Sequence, residues 1–303
     1  MRTYLYLSYK CNCNCFFCAS DETNLSRVTN EVTLEEAQQF ILNSPIKDNL
    51  IISGGEPTIH KSFLDIVRFA KQHFNHISLM TNCIKFSDLD FLKATIEAGV
   101  DRMSIPFYSS IENEYNYMVG NPHAFKLYIQ GLSNINSLLS EKQFDVQIKL
   151  LHSKFTYKLN PKSVDFIAES FPNITKVSLF GFHIGNKALQ RIDECVINYN
   201  ESRMYNDETI RKLMQYEFDF HICEIPLCAF SEEIIGYLLQ SRRVVYTEET
   251  YLKRPDRQTN VVYSPVYLPE ECAQCSLTKL CPKILKKNTS SINLGIKPII
   301  LEG

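Results

Sequence analysis

The sequence predicts an α/β protein built on parallel strands, and three observations carry that prediction. Strand-like and helix-like stretches alternate six times between residue 2 and about residue 190. The strands are short apolar runs, while the stretches between them repeat their apolar residues every three to four positions. Capping and turn residues fall at the junctions. Six β-then-α units in a row fit parallel pairing, because parallel neighbours need a crossover of helical length. An open doubly wound sheet and a barrel both satisfy this pattern, and periodicity does not choose between them.

Residues 2–9, RTYLYLSY, are rich in Tyr and Leu and read as the first strand. Thr33 opens TLEEAQQFILNS as a capping box with Glu36, and Leu34, Ala37, Phe40 and Ile41 supply the apolar stripe. NLIISG (49–54) is the second strand, followed by a helix over about 61–74 with Phe63, Ile66, Val67 and Ala70 on one face. HISLMT (76–81) is the third, and the helix through SDLDFLKATIEAG stops at Gly99. DRMSIPF (101–107) precedes a helix around 122–140, where Phe125, Tyr128, Ile129 and Leu132 are in register. FDVQIKLL (144–151) leads to a helix beginning near Pro161, a residue suited to a first turn. ITKVSLFGF (174–182) is the sixth strand.

The alternation breaks after about residue 190. A helix over 206–218 leads into the strand-like FDFHICEIPLCAF, and RRVVYTEE and NVVYSPVYL are expected to pair around the turn-forming KRPDRQTN. The expected division is a core over 1–190 and a small α+β domain over 191–303.

At 303 residues and 45% hydrophobic, with 19 Phe and 16 Tyr, the chain has ample material for a large core. A net charge of −2 provides no broad basic field for nucleic acid or an anionic membrane. No apolar run is long enough to cross a bilayer, and TYLYLSY is too short for a signal peptide. Eleven cysteines without a secretory leader point to a reducing cytoplasmic compartment.

The run CNCNCFFC places Cys11, Cys15 and Cys18 on one short loop after the first strand. Three thiolates so placed can hold three irons of a [4Fe–4S] cubane and leave the fourth iron to a small molecule. A closed four-cysteine site that includes Cys13 is the alternative on spacing. The tight C-x-C-x-C run makes convergence of four side chains on one ion awkward, so Cys13 reads as a spare. After the second strand comes ISGGEPTIH, where Gly54 and Gly55 let the backbone approach a ligand and Glu56 can accept from an ammonium. Taken alone, the same residues are an ordinary βα turn. Asn82 ends the third strand, Ser104 lies on the fourth, Lys149 on the fifth, and Gly181–Gly185 follow the sixth. All fall on the rim where α/β folds gather their ligands. Near the C-terminus Cys272, Cys275 and Cys281 form a C-x2-C-x5-C loop, and Cys228 or Cys223 can supply a distant fourth thiol. Spacing leaves zinc and an iron–sulfur cluster both open there.

The C-x3-C-x2-C spacing with Phe17 before its last cysteine resembles the signature of radical S-adenosylmethionine enzymes. The family's incomplete (β/α)6 TIM-type barrel agrees with the strand count. The resemblance implies that Cys11, Cys15 and Cys18 hold a [4Fe–4S] cluster whose open iron chelates the methionine part of S-adenosylmethionine. By the same resemblance Gly54, Gly55, Glu56 and Pro57 grip the cofactor's amino group, and Asn82 bonds its ribose. From their places on the fourth and fifth strands, Ser104 and Lys149 are further cofactor candidates, and Lys149 can either pair with the carboxylate or snorkel to a polar rim. Ile184 and Gly185 match the adenine-contacting segment, and Phe17 packs on the adenine. The C-terminal cysteines resemble the auxiliary-cluster region of the SPASM and twitch families. Leu285 stands where the fuller pattern has another cysteine, which implies one auxiliary [4Fe–4S] cluster, used for electron transfer.

The implied activity is reductive cleavage of S-adenosylmethionine and hydrogen abstraction from a substrate, fed by an external one-electron reductant such as flavodoxin or ferredoxin. Cys223 and Tyr108 are candidate hydrogen donors, and Cys83 and Cys195 read as small buried hydrophobes. Almost nothing precedes the first strand, which favours a small metabolite over a ribosomal peptide as substrate. A peptide maturase or epimerase is the nearest alternative. From another class, a ferredoxin-like electron carrier or a zinc-stabilised binding module would leave the GGEP segment idle.

Overall fold

The computed structural model describes residues 2–18, 31–245, 250–253, 258–261, 266–267, 270–282, 284–285 and 294–300. Strands β1 (Arg2–Tyr6), β2 (Asn49–Ser53), β3 (His76–Met80), β4 (Arg102–Phe107), β5 (Asp145–His152) and β6 (Lys176–Gly181) are the six expected ones. They are joined by α1 (Leu34–Asn43), α2 (Phe63–Lys71), α3 (Leu89–Ala98), α4 (Glu112–Val119), α5 (Ala124–Leu139) and α6 (Asn160–Ser170). Thr33 and Glu36 make the expected reciprocal cap at α1. Helix α4 is an addition: Gly120, at φ +61°, ends it before α5 begins, where a single helix over 122–140 is expected.

The parallel order does not stop at six. After the short helices α7 (Asn186–Leu189) and α8 (Ile192–Cys195), α9 (Tyr199–Gln215) crosses to β7 (Asp219–Cys223). Helix α10 (Glu232–Gln240) then crosses to β8 (Val244–Val245). Eight parallel strands thus lie in chain order β1 to β8. At the other edge β9 (Thr250–Lys253) pairs parallel with β1, and β10 (Gln258–Val261) pairs antiparallel with β9. The expected RRVVYTEE–NVVYSPVYL hairpin is therefore corrected. Val244–Val245 joins β7, while the start of the second run pairs with Thr250–Lys253 across the sheet. The remainder of both runs lies outside the described residues, apart from Val266–Tyr267, which pairs with Ile284–Leu285 (β11 and β12). Helix α10 explains the change, since a helical crossover delivers its following strand parallel to the preceding one.

Alternation along the strands separates two faces. Leu50, Ile52, Ile77, Leu79, Met103, Ile105, Phe107, Ile148 and Leu150 are buried in one core with helix residues such as Phe63, Ile66, Leu132 and Ile167. The opposite face is more polar. Register sets Met80, Ser104 and Gln147 side by side, then Pro106, Lys149, Ser178 and His221, then Leu151, Phe180 and Cys223. The sheet does not close on itself, and its inner face is that of a partial barrel.

Candidate functional site

The cysteine loop is held by its backbone from two sides. Asn14 N donates to Val119 O (2.8 Å) and Phe16 N to Met118 O (3.3 Å), fixing the loop to the end of α4. Asn121 Nδ2 donates to Asn12 O, and Lys187 Nζ to Asn14 Oδ1. A side chain at Gly120 would place its Cβ 2.5 Å from Asn14 O, so glycine serves both the αL turn and this close approach. On the second side Gly55 N donates to Ser8 O (2.7 Å) and Glu56 N to Lys10 O (2.8 Å). A Cβ at Gly55 would lie 2.1 Å from Lys10 O. The glycine run therefore meets residues 8–10, which lead into the cysteine loop, where the sequence suggests only approach to a ligand.

Glu56 is buried, and its carboxylate accepts from Thr58 N, Thr58 Oγ1, Thr81 Oγ1 and Asn82 N. Burial pushes its pKa up, and the donors from Thr58, Asn82 and Thr81 pull the other way. The acid locks the ends of β2 and β3 together. Pro57 is buried in the turn that follows. Asn82 reaches Asn12 Oδ1 at 2.6 Å, Cys13 Sγ at 3.7 Å and Cys11 Sγ at 3.8 Å. Cys13 thus stands beside Cys11, and its amide donates to the Cys11 sulfur at 3.4 Å. The Cys13 thiol bonded to Cys11 holds Cys11 below the usual thiol range and is itself held far above it. Burial raises Cys15, with the neighbouring Cys18 and Cys11 adding to it.

Aromatic side chains wall the loop. Phe17 contacts Tyr108 at 5.0 Å, Phe155 at 4.6 Å and Phe182 at 6.5 Å between ring centroids. Ile184, Leu151 and Cys15 pack on the same cluster, whose buried members are Phe17, Met118, Ala188 and Cys195. Tyr108 and Ile184 therefore meet Phe17 as neighbours, while Gly185 starts the turn into α7. Burial holds the Tyr108 hydroxyl well above its ordinary pKa, with Cys15, Cys18, Cys13 and Cys11 adding to the effect. The rings cover the Cys15 side of the loop, while Cys11 stays exposed. Deeper on the inner face, Lys149 Nζ lies 4.8 Å from the Phe180 ring centre. Ser104 Oγ and Ser178 Oγ are buried there without a hydrogen-bond partner among the described residues. Cys223 ends β7 in the row of Phe180 and Leu151.

One pair escaped the sequence reading. His183 Nε2 bonds Glu224 Oε2, joining the loops after β6 and β7. Glu224 is buried and held at φ +58°, and Gly181 admits its carbonyl closely. The signal was present, since Glu224 directly follows a strand's C-terminal end.

At the far side of β7, Cys228 sits buried in the turn Leu227–Ala229. Burial pushes its thiol up to about 11, the Lys297 amide pulls it down, and Cys281, Cys272 and Cys275 push it further up. Cys228 thus lies within electrostatic reach of the three C-terminal thiols. Leu227 N donates to Cys281 Sγ and Ile299 N to Cys275 Sγ, each at 3.4 Å. Thr278 Oγ1 donates to the carbonyls of Cys272 and Cys275, closing the loop.

Among the described residues, no three His, Cys, Asp or Glu side chains converge on a point suited to a single metal ion. A cubane asks for something different: one thiolate on each of several irons, at separate corners. Both thiol groups are soft donor sets without carboxylate or imidazole, which fits iron–sulfur chemistry.

Residues 5–144 match the Radical SAM superfamily, and the chain carries a domain of that family. It is 26% identical over 180 residues to an AdoMet-dependent heme synthase of Methanosarcina barkeri, covering 59% of this chain and 48% of that protein. A probable GTP 3',8-cyclase of Thermoplasma volcanium is 22% identical over 285 residues, with 91% and 76% covered. The chain spans about half the length of the first of these relatives. Among solved structures, Streptococcus suis SuiB bound to its precursor peptide SuiA superposes with a TM-score of 0.59 at 15% identity. That match covers 96% of this chain and 76% of SuiB, a likeness of fold.

Proposed function

We propose that this chain is a radical S-adenosylmethionine enzyme acting on a small polar metabolite. The observation that carries the reading is the double anchoring of the cysteine loop. Gly55 and Glu56 bond Ser8 and Lys10 at its entry, and the end of α4 bonds Asn14 and Phe16 within it, while Cys11, Cys15 and Cys18 remain for a cluster. When bound, the [4Fe–4S] cluster and S-adenosylmethionine supply a 5′-deoxyadenosyl radical that abstracts hydrogen from the substrate. The residues hold and orient. Glu56 fixes the GGEP turn and Asn82 against the thiols, and Phe17, Phe155 and Tyr108 shield the Cys15 side of the loop from water. Lys149 offers a cation on the inner face. The unpartnered Ser104 and Ser178 hydroxyls favour a polar metabolite, which would supply their missing bonds.

The thiols of Cys228, Cys272, Cys275 and Cys281 form an auxiliary [4Fe–4S] site that moves electrons. With four protein ligands no iron there is left for substrate. A cytoplasmic one-electron donor of the flavodoxin or ferredoxin kind completes the system. Anaerobic reconstitution tests this reading: the chain is to bind two cubanes and release 5′-deoxyadenosine when given dithionite and S-adenosylmethionine. Retention of that release by Cys15→Ala refutes the open cluster. Two clusters without any cleavage identify an electron carrier, and zinc alone identifies a binding module.

A further inference from the structure

The segment 294–300 carries a pattern that the proposed chemistry does not require. It is tied at its start, where Tyr199 N donates to Leu294 O, and near its end, where Ser276 N donates to Ile299 O. Between these ties it crosses the auxiliary thiols. Ile299 N donates to the Cys275 sulfur at 3.4 Å, and the Lys297 amide lies close enough to pull the Cys228 thiol down. Donors two residues apart point the same way in an extended chain. Pro298 stands between them and has no N–H to leave unpaired on the other side. Proline also keeps Lys297 extended. From the opposite side Leu227 N reaches the Cys281 sulfur. Cys275 and Cys281 thus receive backbone amides from two separate segments, and Lys297 lies beside Cys228 on the same side of the strap as Ile299.

We infer that residues 294–300 are a strap whose Lys297 and Ile299 amides set the reduction potential of the auxiliary cluster. The inference rests on the reading of that site as a [4Fe–4S] cluster. One-electron reduction adds negative charge that spreads onto the cysteine sulfurs. Amide dipoles aimed at those sulfurs stabilise the reduced form more than the oxidised one, so they raise the potential. Because these donors belong to the backbone, side-chain substitutions leave them in place. Proline removes them.

The test uses the full chain carrying Cys15→Ala, so that only the auxiliary cluster remains, titrated with dithionite under EPR detection. Lys297→Pro is compared with Lys297→Ala, and Ile299→Pro with Ile299→Ala, since each pair differs in the amide proton. Each proline variant is expected to show about tenfold less reduced cluster at a fixed potential than its alanine partner, a shift of about 59 mV to the negative. Equal potentials within both pairs, with iron content intact, overturn the inference and leave the cluster assignment standing. Zinc in place of iron overturns both. Should a proline variant lose its iron, 15N-lysine and 15N-isoleucine labelling of the unsubstituted amides gives a direct readout. Couplings from the reduced cluster to that 15N support the strap, and their absence overturns it.

Discussion

The two thiol loops use similar ligands in opposite ways. The loop 11–18 carries its three motif cysteines within eight residues, and the end of α4 ties its backbone at Asn14 and Phe16. Its Cys11 is exposed. The loop 272–281 also carries three cysteines, but a fourth thiol arrives from Cys228, more than forty residues earlier, and is buried. Amides of Leu227 and Ile299 point at its sulfurs, whereas Asn82 and Cys13 face Cys11. On the proposed reading, one arrangement would leave a corner open to a small molecule and the other would enclose its cluster. The difference lies in where the fourth ligand comes from.

Cys228→Ala gives the largest separation of the two loops. It is expected to remove about four of about eight irons per chain while 5′-deoxyadenosine release persists, as read by iron analysis and product chromatography. Loss of both together breaks the comparison.

A second difference is set by pH. His152 is fully buried, the Asn206 side chain faces it, and its ring stacks on Tyr199 at 5.7 Å. Tyr199 in turn anchors the strap through Leu294. Burial lowers the His152 pKa to about 4. Unfolding restores the ordinary value, so the unfolded chain binds more protons between about pH 6.5 and 4, and stability falls as pH is lowered through that window. The full loss is about 3 kcal/mol, and His152→Gln is expected to flatten that part of the denaturation profile. Hydrogen exchange in the same window should open residues 294–300 before the loop 11–18. The reverse order would show that Tyr199 does not carry the coupling.

Gly55→Ala acts on the other loop. A Cβ 2.1 Å from the Lys10 carbonyl forces the GGEP turn and the cysteine loop apart. A loss of about 2 kcal/mol is expected in urea denaturation, with binding of S-adenosylmethionine weakened and the auxiliary cluster retained. Gly236→Ala, within α10, meets nothing within 4 Å. It should raise stability by about 0.5–1 kcal/mol and leave both clusters unchanged. A stability loss there would mean that α10 is more tightly packed than it stands here.

Much of the fold was legible because its signals are local. The capping box at Thr33, the stop at Gly99 and the alternation along β3, β4 and β5 follow from residues a few positions apart. The placement of Cys11, Cys15 and Cys18 was equally local, since one short loop contains them. What the sequence could not supply was long-range. Nothing near Thr250–Lys253 announces that it pairs with β1, and RRVVYTEE reads as a hairpin arm until α10 is seen to carry it across. The gathering of Cys228 with Cys272, Cys275 and Cys281, the tie between Gly55 and Ser8, and the His183–Glu224 pair depend on chain crossings that no local propensity encodes. Periodicity and spacing determined the elements and the donor atoms. Tertiary packing alone decided which donors meet, because burial and hydrogen bonding select partners in space without regard to their separation along the chain.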